Sequence, residues 1–424
     1  MRKLVFAILS VAMLQLSAAA PSSARRPILI TVDDLPIAAG RLHQDPGERE
    51  KITREMLRVL AKHRVTAVAL TTGKNHPAPA DEKLLALWLQ AGHELGNHSF
   101  SHLDYTNTEI TPYIADIEKE RKWLTDFLQA RGKTLRYFRF PFLNEGDTPE
   151  KLQAMRDYLK KTNQTNLPVT LDDQDWSFEE DWVNARRAND RAAMKLVAAD
   201  YQAALRLHVE HFEARGEKLF GRPTPEIILL HAEEVSAAQW DEFFTWLEAT
   251  NHRFAAADEV MADPAFSTPH EYVGPNGVSL WERLRVEKRK TEIPAAVKKT
   301  LDAQIAAWNR GDLDAFVAVY AQDATFISAT GFDRGRSAVL DRYKAKYPDR
   351  KAMGVLSLEI SETRLIAGDE FTFFGDSVPG HVQGVTVTAR WKLEFEGQPS
   401  VGGSTLLVLR PRGDSWEIIQ DATM

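Results

Sequence analysis

Pro27-Ile-Leu-Ile-Thr-Val-Asp-Asp-Leu-Pro36 sets five apolar or β-branched residues directly before two adjacent carboxylates and a proline. A short unbroken apolar run with a polar stop reads as a strand buried on both faces, as in a parallel sheet. The pattern recurs outward from it. Thr66–Leu70, Leu135–Phe138, Leu167–Thr170, Ile227–Leu230 and Arg253–Ala256 read as further strands. Helical periodicities occupy Glu48–Lys62, Asp81–Gln90, Pro112–Gln129, Pro149–Lys161 and Ala188–Phe212 between them. Repeated βα units predict an α/β fold on a parallel sheet, closed or open, with its active site at the strands' C-terminal edge.

Polar motifs follow those strands directly. After Asp33-Asp34 come His98-Ser-Phe-Ser-His102, Arg139-Phe-Pro-Phe142, Asp172-Asp-Gln-Asp-Trp176 and Leu229-Leu-His231. His98 and His102 stand four apart, which on a helical turn would aim both imidazoles from one face toward a metal. The 12 histidines of the chain make one such pair unremarkable, so the ordered set carries the weight. A carboxylate from Asp33-Asp34 would complete three protein ligands and leave the other acid as a base. Metal-assisted hydrolysis needs this inventory. His93 and His76 read as structural or incidental.

Taken together the five motifs resemble those of the polysaccharide deacetylases, carbohydrate esterase family four, over residues 27–266. The resemblance implies a distorted (β/α) barrel and removal of acetyl groups from N-acetylated or O-acetylated glycans. Under it Asp34, His98 and His102 would hold a divalent metal, zinc being the first choice for such ligands. Asp33 would be the base, held oriented as a carboxylate by Arg139. His231 would be the acid, kept protonated by Asp175. Trp176 and Leu229 would wall a pocket for the acetyl methyl, and the backbone N–H near Phe142 would meet the oxyanion. Two positions depart from the family pattern: Leu35 stands where glycine is usual, and Phe142 where tyrosine is common. A non-catalytic glycan-binding protein and an amidohydrolase of a small N-acyl compound are the alternatives.

Beyond the barrel, 267–293 changes to Pro269, Gly274-Pro-Asn-Gly277 and the charged run Glu287-Lys-Arg-Lys290, which reads as a linker with one short helix. A helix resumes at Pro294, with Val297, Leu301, Ile305 and Trp308 at helical spacing. Ala307-Trp-Asn-Arg-Gly-Asp-Leu-Asp-Ala-Phe316, Tyr320-Ala-Gln-Asp-Ala-Thr-Phe326, Gly335-Arg336 and Trp416-Glu-Ile-Ile-Gln-Asp421 follow. Residues 294–424 thereby resemble the SnoaL-like, nuclear-transport-factor-two-like domains, an α+β cone that binds small molecules or pairs subunits. Tyr320, Tyr343, Tyr347, His381, Trp391 and Asp421 are candidates to line such a cone, core packing being the plainer reading of its aromatics. A homodimer through this domain is one expectation.

Composition bounds the setting. The 424 residues favour two domains, and 44% hydrophobic with 27% charged residues is a globular balance. A net charge of -7 argues against a nucleic-acid partner; an acetylated oligo- or polysaccharide is expected instead. Basic Met1-Arg-Lys3, apolar Leu4 to Leu14 and Ala18-Ala-Ala20 read as a signal peptide over 1–20. The expectation is a bacterial exported protein, periplasmic or secreted, with no membrane span and no disulfide, since cysteine is absent.

Overall fold

The computed structural model describes residues 25–367, 371–373, 376–378, 382–413 and 415–424. The expected signal peptide and His381 lie outside these residues. The first sheet comprises β1 (Arg26–Leu35), β2 (Val68–Thr71), β3 (Glu94–Asn97), β4 (Tyr137–Phe138), β5 (Thr165–Asn166), β6 (Leu171–Asp172), β7 (Glu226–His231) and β8 (His252–Phe254). Its order is β5-β4-β3-β2-β1-β7-β6, with β8 on the first residues of β1. Every pairing is parallel. The expected barrel thus takes the form of a half barrel with helices packed around it. Ile28, Leu29, Ile30 and Val32 of the central strand are fully buried: Ile28, Ile30 and Val32 lie under the helices, and Leu29 faces Val68, Leu70, Tyr137 and Ile227 on the inner side.

The helices of this part are α1 (Pro46–Lys62), α2 (Pro79–Gln90), α3 (Ile110–Gln129), α4 (Pro149–Thr162), α5 (Glu179–Arg187), α6 (Arg191–Phe220), α7 (Glu234–Ala249) and α8 (Ala257–Met261). Their ends follow local chemistry. Asp45 caps α1 ahead of Pro46, Thr148 caps α4 ahead of Pro149, and α6 stops at Gly221 with φ 67°. The helix expected from 188 starts instead at 191, because Asp190 accepts the N–H groups of Ala192 and Ala193.

Two sheet expectations change. β3 has no counterpart in the sequence reading, since Glu94-Leu-Gly-Asn97 offers one large apolar side chain. Leu167–Thr170, expected as a strand, forms no ladder and meets the neighbouring strands at isolated bonds such as Leu167 N to Phe138 O and Thr170 N to Ile227 O. Pro168 between them has no N–H for a ladder, and the strand forms at β6 instead.

The largest correction concerns 267–293. Ser279 caps one continuous helix, α9 (Leu280–Asn309), that runs through Pro294. Its first turns bury Leu280, Trp281 and Leu284 against Ala265, which the charge pattern of the stretch conceals. Its last turns bury Val297, Leu301, Ala307 and Trp308 in a second core. That core lies between α9, α10 (Leu313–Val317), α11 (Arg336–Lys346) and α12 (Arg350–Met353) and a second set of strands. These are β9 (Tyr320–Ser328), β10 (Gly331–Arg334), β11 (Val355–Ala367), β12 (Phe371–Phe373), β13 (Asp376–Val378), β14 (Val382–Phe395), β15 (Gln398–Arg412) and β16 (Ser415–Thr423). The sheet order is β10-β9-β16-β15-β14-β11, with β12 and β13 a separate hairpin. A cavity of about 330 Å³ opens inside this domain, and Tyr320, Tyr343, Tyr347, Trp391 and Asp421 all line it. Among the described residues no helix is long and apolar enough to cross a membrane.

Candidate active site

Parallel pairing brings the motifs to one edge. Asp33 at the end of β1 lies in register with His231 at the end of β7. Thr71 of β2 pairs with Asn97 of β3, and Asn97 with Phe138 of β4, so His98 and Arg139 follow adjacent strand ends. Asp172 on β6 is beside Leu229.

Asp34, His98 and His102 each present a ligand atom, all within 4.8 Å of one another. The histidines are not on a helical turn. Ser99 and His102 adopt left-handed φ of 68° and 56°, because side chains take the local backbone bonds that a helix would make. Asn97 Oδ1 accepts Ser99 N, Ser99 Oγ accepts His102 N, and Asp116 Oδ2 accepts both Phe100 N and Ser101 N. His98 Nδ1–H donates to the Arg139 carbonyl at 2.9 Å, leaving Nε2 as the lone-pair nitrogen. Thr72 Oγ1 donates to Asp34 Oδ1 at 2.7 Å, and Asn75 Nδ2 to the Asp34 carbonyl. Asp34 itself has φ 62°.

The charge states suit a cation. Burial opposes ionisation of Asp34, but His102, His98, His231 and the Thr72 hydroxyl bring its carboxyl down to about 2. Burial brings His102 down to about 4 against the pull of Asp34. One carboxylate and two imidazole nitrogens are the donor set of a catalytic divalent site, so these residues fit such an ion.

Beside the cluster Asp33 is 2% exposed and accepts a 2.7 Å hydrogen bond from Arg139 Nη1. Arg139, 1% exposed, also donates to Thr31 Oγ1, the Leu167 carbonyl and the Pro168 carbonyl. Four bonds from one guanidinium fix the acid's orientation. His98 Nε2 is 3.5 Å from the other oxygen, Asp33 Oδ2.

On the neighbouring strand His231 Nδ1–H donates to Asp175 Oδ1 at 2.6 Å, while His231 N donates to Asp175 Oδ2 at 2.7 Å. Burial disfavours the imidazolium, yet the Asp175 carboxylate outweighs it and holds His231 well above the usual histidine range. Burial also pushes Asp172 up to about 6, against the pull of His231.

The three expected pocket residues divide. Leu229 is buried with Leu143 and Val169. Phe142 and Trp176 are 58% and 56% exposed; the Phe142 ring meets His102 edge-on at 4.5 Å, and Trp176 sits on the turn Asp175–Phe178. His76 is structural, bonded to Glu120 at 3.0 Å and stacked on Trp123. His93 accepts Ala67 N–H, and burial takes it down to about 4. Sequence reading missed Thr72, Asp116 and Glu179. Thr72 follows β2 at the same sheet edge, a signal that was present. Asp116 and Glu179 sit within helix patterns and gave none; Glu179 accepts Glu234 N and Val235 N at the start of α7.

An edge of a parallel half barrel that gathers metal-type donors, an arginine-held acid and a carboxylate-held histidine has the groups that hydrolysis of an acyl bond uses. The family model for polysaccharide deacetylase matches residues 21–162, and that for the SnoaL-like domain matches 301–405. Two separate stretches of the chain thus match a polysaccharide deacetylase model and a SnoaL-like domain model. No curated protein matches it. Among solved structures, an NTF-2-like protein of unknown function from Shewanella oneidensis is 28% identical, covering 31% of this chain and 97% of its own, with a TM-score of 0.26. A family 4 carbohydrate esterase from Streptomyces lividans, in complex with acetate, is 19% identical over 55% of this chain and 94% of its own, TM-score 0.37. A CE4 family pseudoenzyme from Bacillus anthracis is 15% identical over 56% and 66%, TM-score 0.39.

Proposed function

We propose that this protein is a divalent-metal-dependent deacetylase of acetylated glycans, with residues 27–266 as its catalytic domain and 294–424 as its second domain. The observation that carries the reading is the cluster of Asp34, His98 and His102 donors beside an acid held by Arg139 and a histidine held by Asp175. Asp34, His98 and His102 would hold the ion, zinc by the chemistry of the donor set, which when bound acidifies water and polarises a carbonyl.

Asp33 takes a proton from the attacking water through Oδ2, since Oδ1 is engaged by Arg139. The water oxygen bonds to the acetyl carbon, and the carbonyl electrons move to oxygen, where the Phe142 N–H donates. Collapse breaks the bond from carbon to the leaving nitrogen or oxygen. His231 delivers its proton there, releasing free amine or hydroxyl and acetate, and Asp175 stabilises the imidazolium until transfer. Leu229 and Trp176 flank the acetyl group. Trp176 and Phe142 leave the rim open and aromatic, which favours a sugar chain over a small N-acyl compound. The leader at 1–20 would export the protein to the periplasm or beyond, where such glycans are met, and the second domain would pair two copies.

Acetate release from a panel of N- and O-acetylated glycans, with and without chelator and added zinc, tests this. Chelator-sensitive release supports it. No release from any member by metal-loaded protein would overturn it in favour of a non-catalytic glycan binder.

A further inference from the structure

The stretch between the two domains approaches the proposed site more closely than a linker would. Phe142 and Leu143 are consecutive non-glycine residues at φ 55° and 54°, a conformation that persists only where the surroundings over-determine it. The surroundings come from beyond the barrel. Arg283, in the first turns of α9 and 4% exposed, donates through Nη2 to the Leu143 carbonyl at 2.6 Å. Its Nη1 pairs with Glu145, whose Oε1 also accepts Asn166 Nδ2 at 2.7 Å. Gly277 lies so close that a Cβ there would stand 1.9 Å from the Phe142 carbonyl oxygen and 2.4 Å from the Leu143 carbonyl carbon. Gly274 N donates to Gly146 O, Thr106 Oγ1 to Pro275 O, and Leu280 N to Val169 O. The loop so held presents the Phe142 ring to His102. Neither Gly277 nor Arg283 falls within a family match, which end at 162 and begin again at 301.

We infer that Arg283 and Gly277 are positioning residues for the reaction, fixing the Phe142–Leu143 loop so that its backbone N–H and ring stand at the proposed oxyanion and metal positions. This rests on the deacetylase reading for its effect on turnover, though not for the clamp itself. A buried guanidinium is suited to the task because it grips a backbone carbonyl and a carboxylate at once. Gly277 is suited because no side chain fits between the two segments.

The test uses the full-length metal-loaded protein and the variants Arg283→Ala, Arg283→Lys, Gly277→Ala and the double variant Arg283→Met with Glu145→Gln. The double variant removes the buried ion pair whole and so guards against simple misfolding. Amide hydrogen exchange over residues 139–146, metal stoichiometry, kcat and KM are measured. Arg283→Ala and the double variant should raise exchange in that loop, leave one ion bound, and lower kcat about 10- to 100-fold with KM nearly unchanged. Added guanidinium should recover part of the kcat of Arg283→Ala, a rescue that a general loss of stability would not show. Unchanged loop exchange in folded variants overturns the clamp; a loosened loop with unchanged kcat overturns its role in turnover. Wild-type protein inactive on every glycan would sink the deacetylase reading, while the exchange data would still decide the clamp.

Discussion

Asp33 and His231 face the same chemistry from paired positions on β1 and β7, so their roles separate through their partners. Arg139 grips Asp33 and Asp175 grips His231. Asp33→Asn keeps the shape and an acceptor for Arg139 but removes the base. Turnover should fall about 10²- to 10⁴-fold with metal content, measured by elemental analysis, unchanged; normal turnover would refute the assignment. His231 sits above its ordinary value of 6.5, so as the acid it stays charged past that pH, and activity is lost as pH rises through the raised value. Asp175→Asn removes the largest pull and leaves burial, which favours neutral imidazole, opposed only by Glu233 and Asp34. The alkaline limb of kcat/KM should therefore shift downward, and a limb that stays in place would rule out Asp175 as its cause. The same pair stabilises the fold fully below 6.5 and less as pH rises through the raised value, so this variant should lose more stability at mildly acidic than at alkaline pH. Thr72→Val removes the hydroxyl that orients Asp34 and should weaken metal affinity about 10- to 100-fold in a competition titration.

How the strands and helices present these groups was only partly legible. β1 and β7 announce themselves because strands covered on both faces are continuously apolar, and the motif order along the chain gave the edge that collects the site. β3 was silent, although His98 hangs from its end. Its Gly96 explains both facts: a Cβ there would lie 2.6 Å from Leu70 Cδ1 and 3.1 Å from the Tyr137 carbonyl oxygen, so glycine lets three strands close up where a β-former would be expected. The spacing of His98 and His102 suggested a helix, yet Asn97, Ser99 and Asp116 impose a left-handed loop by side-chain bonds that no periodicity encodes. Pro294 read as a helix start, but α9 passes through it because the carbonyl it orphans belongs to exposed Lys290 and can face water. Gly96→Ala should cost about 1–3 kcal/mol by overpacking, read as a lower denaturant midpoint, and should weaken metal binding together with it. Loss of neither would show that β3 has room to spare.

At the scale of the whole chain, one helix runs from a small cluster beside the half barrel into a second core. The sheet core centres on Ile28, Ile30 and Val32 against α1, α6 and α7, and the second core on Trp308, Phe316 and Tyr320 against its own sheet. The proposed ion touches only the first: Asp34, His98 and His102 all lie at the half-barrel edge, while the 330 Å³ cavity belongs wholly to the second. A ligand that binds only the folded state stabilises by about 4 kcal/mol at a thousand times its dissociation constant, which for a domain of this size is roughly 10 °C in Tm. What α9 does with that energy depends on its middle, Arg285 to Ala296, where no residue is fully buried. Ile293 and Ala296 there pack only on the second core, so the half barrel holds the helix by its first turns, and the cores should melt separately. Calorimetry of the metal-loaded protein should then show two transitions, of which chelator lowers one by about 10 °C and leaves the other in place. If both move together, α9 transmits the half barrel's stability across its exposed middle and the two domains form one cooperative unit.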